Sequence, residues 1–418
     1  MASSERETLS SNNSPNPDYG STSNENTNNL NKPPSPPKSP PVLHYPPPPP
    51  TLGKSLKLIF TISWVNVLLI FIPFGFLAHY LQWSDSWVFI LNFFAIIPLA
   101  KLLEFATEDI SNRVGQTIGG LLNATFGNAV ELIVSIVALM DGQIRVVQAS
   151  MLGSIISNLL LVLGMCFVAG GFYHKTQKFN QTAAQTSSSL MALACIGLII
   201  PAAFNFAVDT TKNDRKDELL NYSRGSAIVL LIIYCLYLLF QLKTHEYLYR
   251  EGSQEDDEEP QLSLFVSLSL LGIVTVIVAF SAEYLVGSIE GIVESSGLSR
   301  TFVGLILLPI VGNAAEHVTA VTAAIKNKMD LAINVAAGSS MQIALFITPF
   351  LVILGWIIGS EMSLYFQMFE TVVFFISVLI TNYLIQDGES NWLEGAMLLA
   401  TYAIIGLAFF FYPNNSNQ

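Results

Sequence analysis

Two pentapeptides decide how this chain folds: G-N-A-V-E at Gly127–Glu131 and G-N-A-A-E at Gly312–Glu316. Each lies near the middle of a long apolar stretch. A carboxylate there costs at least about 2.5 kcal/mol to insert into a bilayer, and such a residue usually lines a pathway or a binding site. In each pentapeptide the asparagine precedes the glutamate by three residues, so both side chains share one helix face. The sequence therefore predicts two oxygen-rich helix faces at membrane depth.

The two pentapeptides belong to an internal duplication. They lie 185 residues apart, and the same offset brings the glycine of G-S-I-I-S-N, Gly153, onto the glycine of G-S-S-M-Q-I, Gly338. Near these glycines, polar residues recur at matching places in the two halves, and we expect them to support the glutamates. They are Ser154, Asn158, Ser339 and Gln342. Glu283 is also predicted to support the pair, although its match between the halves is less close.

The composition predicts a polytopic membrane protein. Of 418 residues, 51% are hydrophobic and 12% charged, and the mean hydropathy is +0.51. Soluble domains usually carry about 25% charged residues. The formal net charge is -12, and no basic surface for nucleic acid is predicted. The three cysteines lie in apolar segments, where a thiol behaves as a small hydrophobe, so no disulfide framework is expected.

Eleven apolar segments are long enough to span a bilayer, which takes about 20 residues. Their predicted bounds are 57–80, 86–107, 114–140, 146–172, 186–208, 224–242, 262–288, 300–325, 330–358, 363–385 and 392–412. Nine Lys and Arg residues fall in short loops on the side of the N-terminus and six on the other. This excess predicts a cytosolic N-terminus and, with an odd number of spans, a lumenal C-terminus.

Ten segments remain when the first is set aside, five on each side of residues 243–261. A unit with an odd number of spans inserts the second time upside down, with a site at the midplane between the repeats. The predicted fold is an all-α polytopic membrane protein with one leading helix and two inverted-topology repeats of five. The predicted divisions are 1–54 (tail), 55–82 (extra helix), 83–242 (first repeat), 243–261 (linker), 262–412 (second repeat) and 413–418 (C-terminal tail).

Two segments outside the repeats are strongly biased in composition. Residues 1–54 hold 13 of the 20 prolines and predict a disordered cytosolic tail, with a polyproline run suited to SH3-type domains and Ser-Pro sites suited to kinases. The linker carries Glu255, Asp256, Asp257, Glu258 and Glu259. It is interpreted either as a solvated linker or as a cytosolic antenna that concentrates divalent cations.

The motif A-T-E-D-I-S-N-R-V-G-Q-T-I-G-G-L-L-N-A-T-F-G-N-A-V-E, from Ala106 to Glu131, closely resembles the first repeat of the calcium/proton exchangers. G-N-A-A-E-H-V-T-A-V followed by G-S-S-M-Q-I-A-L resembles their second, and the closest resemblance is to the fungal vacuolar exchangers. The resemblance covers roughly residues 57–412. It implies residence in the vacuolar membrane, a fold of ten core helices plus one, and calcium held between the two signature helices. It also implies a functional role for Glu108, at the end of the first core helix.

The oxygen ligands in the two motifs suit calcium, a hard cation that takes six to eight oxygens. The resemblance matches the family's acids to Glu131 and Glu316. It matches the other metal-site positions to Gly127, Asn128, Gly312 and Asn313. No cofactor is expected besides the transported calcium, and manganese stays open as a second substrate. Oligomeric state is left open.

Protons are expected to compete with calcium for the paired acids. Two ionised carboxylates facing each other in a desolvated site repel, so the empty site should favour bound protons. The candidates for proton coupling are Glu131, Glu316, Glu108 and His317. A sodium/calcium exchanger on the same scaffold is the first alternative, although hydroxyl-rich motifs are expected there. A membrane-embedded hydrolase or receptor is the remote one, because no H-E-x-x-H or nucleophile-elbow pattern occurs.

Overall fold

The computed structural model describes residues 51–207, 215–247 and 260–412. The proline-rich tail as far as Pro50, the acidic run with Glu255–Glu259, and the C-terminal tail 413–418 lie outside the described residues. The predictions of a disordered tail and of a cation antenna therefore stay predictions.

The described residues are almost entirely helical, with one short pair of antiparallel strands. The helices before the linker are α1 (Leu52–Thr61), α2 (Phe71–Tyr80), α3 (Asp85–Val114), α4 (Gln116–Phe126), α5 (Ala129–Met140), α6 (Ile144–Ile156), α7 (Leu163–Tyr173), α8 (Gln181–Ala207) and α9 (Arg215–Leu239). Those after it are α10 (Leu264–Gly287), α11 (Ile289–Ser296), α12 (Arg300–Phe302), α13 (Leu308–Gly312), α14 (Ala314–Ile325), α15 (Met329–Gln342), α16 (Thr348–Ile358), α17 (Met368–Leu384) and α18 (Trp392–Phe410). The strands are β1 (Gln177–Lys178) and β2 (Glu389–Ser390). A 3₁₀ helix covers Trp64–Ile70, and π-helical segments cover Ser157–Val162, Phe240–Thr244, Val303–Leu307 and Ile343–Ile347.

The predicted apolar segments coincide with these helices. Within the described ranges, seven helices are long and apolar enough to cross a membrane by themselves, and three bent pairs meet that test together. Helix α17 is apolar but shorter. The number of spans, eleven, stays a prediction.

The leading segment differs from the single helix predicted over 57–80. It breaks after Thr61, and α1 stands at 97° to the helical stretch Trp64–Tyr80. Ser63 adopts an extended conformation at the break, and the side-chain nitrogen of Asn66 donates a hydrogen bond to the Ile59 carbonyl at 2.7 Å. These local polar contacts compete with a continuous helix. The apolar pattern alone therefore predicted a single helix from residue 57, whereas the stretch that continues to Tyr80 begins at Trp64.

The two repeats pack through their first helices, α3 and α10, and through the long helices that follow the signature motifs. One close backbone approach joins α6 to the Arg300–Gly312 segment, which comprises α12, the π-helical turn and α13. A Cβ on Gly304 would lie 2.8 Å from the Ala149 Cβ, and a Cβ on Gly153 would overlap the Leu305 carbonyl. Small residues thus let the backbones meet at membrane depth.

Hydrogen bonds tie the start of the second repeat to the end of α3. The buried Asp109 carboxylate accepts from the backbone nitrogens of Gln261 and Leu262, at 2.6 and 3.0 Å, and from the Ser267 hydroxyl at 2.6 Å. Arg113 donates both to this carboxylate and to the Leu262 carbonyl. The end of the inter-repeat linker is therefore fixed beside the end of α3.

Candidate functional site

Both signature motifs lie where a helix is broken. Residues Ile118–Phe126 of α4 meet α5 at 46°, and the Arg300–Gly312 segment meets α14 at 56°. Each glutamate occupies the first turn of the second helix of its pair. The carbonyls freed at the end of the first helix carry partial negative charge, which favours a cation between the two breaks.

The two glutamates are buried, and the first one reaches the second motif. Glu131 is 4% exposed and Glu316 is 8% exposed. The Glu131 carboxylate lies directly against the second motif, because a Cβ on Gly312 would be 2.9 Å from Glu131 Oε1. Gly312 therefore leaves room for the close approach of a carboxylate from the other repeat, and the motifs meet as the duplication predicts.

Several oxygens around these glutamates lack a hydrogen-bond partner among the described residues. They are Glu131 Oε1, Glu316 Oε2, Asn158 Oδ1, Asn313 Oδ1 and Ser154 Oγ, all buried. A buried polar atom without a partner costs about 1–3 kcal/mol, and more when charged. A hard cation prefers this set of carboxylate, amide and hydroxyl oxygens, and protons can also satisfy the carboxylates.

The amide of the first motif is held by a chain of hydrogen bonds that crosses between the repeats. The Asn158 amide donates to the Ser339 hydroxyl at 2.9 Å, and that hydroxyl donates to Asn128 Oδ1 at 2.6 Å. Asn128 in turn donates to Gln342 Oε1 at 2.6 Å. Asn158 and Gln342 thus hold Asn128, whereas the sequence had them bracing the carboxylates.

The second motif is held differently. The Asn313 amide donates to the Ser154 carbonyl at 3.1 Å, which leaves its oxygen without a partner among the described residues. His317 directs Nδ1 at the Asn313 carbonyl one turn earlier, while its Nε2 is buried and has no described partner. The imidazole therefore packs on the backbone of the motif.

The structure separates two predicted residues from the pair. Glu108 is exposed near the end of α3. Glu283 is exposed near the end of α10, where it lines a cavity of about 810 Å³ whose lining includes neither Glu131 nor Glu316. The other ionisable residues of that cavity are His79, Asp85, Asp141 and Tyr284. Glu283 is thus no direct support of the pair.

A polar triad one turn beyond Glu316 was missed in the sequence. Lys101 Nζ lies 2.8 Å from Glu104 Oε2 and donates to the Thr319 hydroxyl at 2.8 Å, and that hydroxyl donates to Glu104 Oε1 at 2.9 Å. The triad joins α3 to α14. Its signal was a lysine inside an apolar segment, which required a partner of opposite charge.

The two repeats pack asymmetrically although their sequences match. At the 185-residue offset, Ile118 of α4 is 57% exposed and Val303 is fully buried, while Leu121 is 51% exposed and Ile306 is 6% exposed. Gly153 touches the Leu305 backbone, whereas its counterpart Gly338 faces open space. The Arg300–Gly312 segment is thus closed onto α6, and α4 stands away from α15.

Comparisons with known proteins agree with this architecture. The family model described as sodium/calcium exchanger protein matches residues 84–243 and 266–411. The chain is 53% identical over 353 residues to the vacuolar calcium ion transporter of Schizosaccharomyces pombe, covering 84% of this chain and 85% of that protein. It is 50% identical over 361 residues to a Ca(2+)/H(+) antiporter of Aphanothece halophytica, covering 83% and 96%. The solved structure of native YfkE matches with a TM-score of 0.73 at 36% identity, covering 83% of this chain and all of that one.

Replacing Ser339 with alanine should break the amide chain. Asn128 Oδ1 and the Asn158 amide both lose a partner, so we expect the protein to lose about 1–3 kcal/mol of stability. We also expect about tenfold weaker affinity for calcium, the cation that the sequence predicts, which corresponds to about 1.4 kcal/mol. Calcium binding and thermal unfolding of the purified protein measure the two effects.

The matched control is Ser340→Ala, because among the described residues the Ser340 hydroxyl bonds only to the Ala336 carbonyl of its own helix. This variant should keep wild-type affinity. Equal affinities for the two variants would show that the Ser339 bridge does not position Asn128 for the cation.

Proposed function

The chain belongs to the sodium/calcium exchanger protein family, and from that premise we propose that Glu131 and Glu316 are the groups at which calcium and protons exchange. The protein is a secondary active calcium/proton antiporter, a multi-pass protein of the vacuolar membrane. Calcium leaves the cytosol for an acidic lumen as protons return.

The observation that carries the proposal is the set of buried oxygens near the two motifs that have no partner within the described ranges. Two carboxylates offset the charge of a divalent cation, and Asn313 and Ser154 offer neutral oxygens beside them. Backbone carbonyls freed at the two helix breaks and water complete the six to eight ligands that calcium takes. Manganese accepts the same oxygens, so it is proposed as a second substrate.

Competition for the two carboxylates supplies the coupling. With calcium bound, both acids are ionised and the site is close to neutral. With calcium gone, two buried negative charges in proximity are unfavourable, so protons replace the cation. The protein is least able to change the side from which the site is reached when the site is empty and doubly charged. Calcium and protons therefore cross in alternation, which is the requirement for antiport.

The energetics allow this exchange. Concentrating calcium about 10,000-fold takes about 5.5 kcal/mol. A proton that moves down roughly two pH units releases about 2.7 kcal/mol, at 1.36 kcal/mol per unit. Two protons, one for each proposed carboxylate, nearly balance the gradient. A third proton, which makes the exchange electrogenic and so adds the membrane potential, supplies a margin. Glu108 and His317 are the next candidates for a third proton.

The asymmetric packing suggests how access alternates. The gap between α4 and α15 lies on the side where α4 begins, just after Arg113. With the N-terminus cytosolic and the C-terminus lumenal, as the loop charges favour, this side faces the cytosol. Closing α4 onto α15 and separating the Arg300–Gly312 segment from α6 would exchange the packing of the two repeats, and the site would then open to the other side. The acidic linker and the proline-rich tail are proposed as a cation antenna and a partner-binding segment.

Exchanging either glutamate for glutamine should abolish calcium uptake. Glu131→Gln and Glu316→Gln keep the shape of the side chain but remove charge that offsets calcium, and each motif supplies one of the two acids. Uptake into sealed vesicles with an imposed pH gradient measures the effect. Glu283→Gln is the control and should transport normally, because Glu283 lies in a separate cavity. Near wild-type uptake by either motif variant would contradict the two-acid site.

Calcium affinity should fall as the pH falls. Protons occupy the same carboxylates, so calcium binding at low pH must displace them, approaching two protons per calcium. Binding isotherms of purified protein between about pH 5 and 8, with proton release followed in weak buffer, measure this linkage. The Glu131→Gln, Glu316→Gln double variant should release no protons on adding calcium. Release that persists in the double variant would assign the coupling protons to other groups.

The equivalent glycines Gly153 and Gly338 should respond differently to valine. Gly153→Val overlaps the Leu305 backbone, so we expect poor folding and little protein in the membrane. Gly338→Val meets open space in this state, so the protein should fold normally. It should nevertheless transport less than about a tenth as fast, because the added methyls obstruct closure of α4 onto α15. Yield, thermal unfolding and uptake separate the effects, and normal uptake by Gly338→Val would contradict the closure.

A further inference from the structure

The stretch Trp64–Tyr80 can cross the bilayer without helix α1. It combines a 3₁₀ helix of 7 residues with an α-helix of 10 residues. A 3₁₀ helix rises about 2.0 Å per residue and an α-helix about 1.5 Å. The stretch therefore spans about 29 Å, close to the hydrocarbon thickness of about 30 Å. Helix α1 stands at 97° to this stretch and is not needed to cross the bilayer.

Helix α1 has an apolar stripe that no described residue covers. Its protein-facing side is Ser55 and Ile59, which are 1% and 7% exposed. Next to them lie Leu52, Leu56 and Phe60, each four residues from the next, which are 66%, 49% and 62% exposed. Residues at this spacing share a helix face. In water such a stripe would be unfavourable, so its position suits the apolar edge of a bilayer.

A cationic side follows the apolar stripe around the helix. At about 100° per residue, Lys54 and Lys57 lie beyond the stripe on the side away from Ser55 and Ile59. Both lysines are exposed. Trp64, at the bend, is 79% exposed, and exposed tryptophans are typical of the interface between membrane and water.

The angle of α1 is fixed by the chain itself. Asn66 is 5% exposed and donates to the Ile59 carbonyl in the last turn of α1. The Ser63 hydroxyl accepts a bond from the Val65 nitrogen at 3.4 Å, with Ser63 at φ -139° and ψ 142°. A helix held across the direction of the span it precedes lies along the membrane plane.

We propose that α1 is an interfacial helix that binds anionic lipid headgroups. The stripe of Leu52, Leu56 and Phe60 enters the edge of the hydrocarbon, and Lys54 and Lys57 contact phosphate and carboxylate groups at the surface. Lysines close to an anionic leaflet attract it, and apolar burial holds the helix in place. The inference rests on the membrane location of the protein and is independent of the paired-glutamate site.

Depth measurements test the orientation of the helix. Spin labels are placed singly on cysteines that replace Leu52, Leu56 and Phe60, in full-length protein whose native cysteines are alanine, reconstituted in phosphatidylcholine vesicles with phosphatidylserine. The depth of each label is measured from its relative accessibility to molecular oxygen, which is concentrated in the bilayer, and to a water-soluble nickel complex. We expect the three labels to lie at equal, shallow depths. A helix that continues the span would place successive labels about 6 Å deeper. That gradient, full exposure to water, or coupling between labels of two copies would each overturn the proposal.

Lipid preference tests the role of the lysines. A fluorophore at position 56 is quenched by spin-labelled lipids with a serine or a choline headgroup, and stronger quenching by the serine lipid is expected. Each lysine should contribute roughly a fivefold preference. Lys54→Gln with Lys57→Gln should therefore remove most of it, whereas Lys175→Gln with Lys326→Gln, two exposed lysines elsewhere, should not. Equal quenching by both lipids in the wild-type protein would contradict the proposal.

Discussion

The structure depends on one constraint: buried oxygens at membrane depth must be balanced by a positive charge. One carboxylate oxygen of Glu131 and one of Glu316 lack a donor among the described residues. Within the same part of the chain neither forms an ion pair like that of Glu370, which is fully buried and lies 2.5 Å from Arg145. A permanent partner would stabilise the fold and abolish exchange. The broken helices, the glycine at 312 and the chain of amides follow from keeping two carboxylates close and available.

The duplication adds a second requirement. Two repeats with matching sequences contribute to the proposed site, and exchange requires that this site is not reached from both sides at once. The structure meets this by packing equivalent positions in different ways, so that Val303 is buried while Ile118 is exposed. Under the proposed mechanism, the matching sequences would allow each repeat to adopt the packing of the other. In a transporter built from two unlike halves, the packing that closes each side of the site would have to evolve separately.

Much of the fold was predictable because membrane-depth chemistry is restrictive. The apolar segments and the importance of the two acids follow from the cost of burying polar groups in lipid. The repeats follow from the recurrence of the motifs 185 residues apart. The bend after Thr61 was missed because an apolar run does not reveal where Ser63 and Asn66 turn the backbone. The contacts of Gln342 with Asn128 and of Lys101 with Thr319 could not be read from sequence either, since they join helices far apart in the chain. The asymmetry is a property of packing, and equivalent sequences carry no sign of it.

The tight crossing of Gly153 with Leu305 has an electrical consequence. The crossing leaves no space between the two backbones, while a Cβ on Gly338 would meet no atom within 4 Å. A potential difference falls mainly across the region that conducts least. The membrane voltage is therefore concentrated over the short closed side, and a bound ion in this state lies at nearly the potential of the open compartment. If the packing reverses as proposed, the field moves to the other side of the site, so the conformational change transfers only the net charge of the bound ion and its carboxylates, at about 2.3 kcal/mol per elementary charge for each 100 mV. A calcium ion balanced by two ionised carboxylates would cross this field without electrical work.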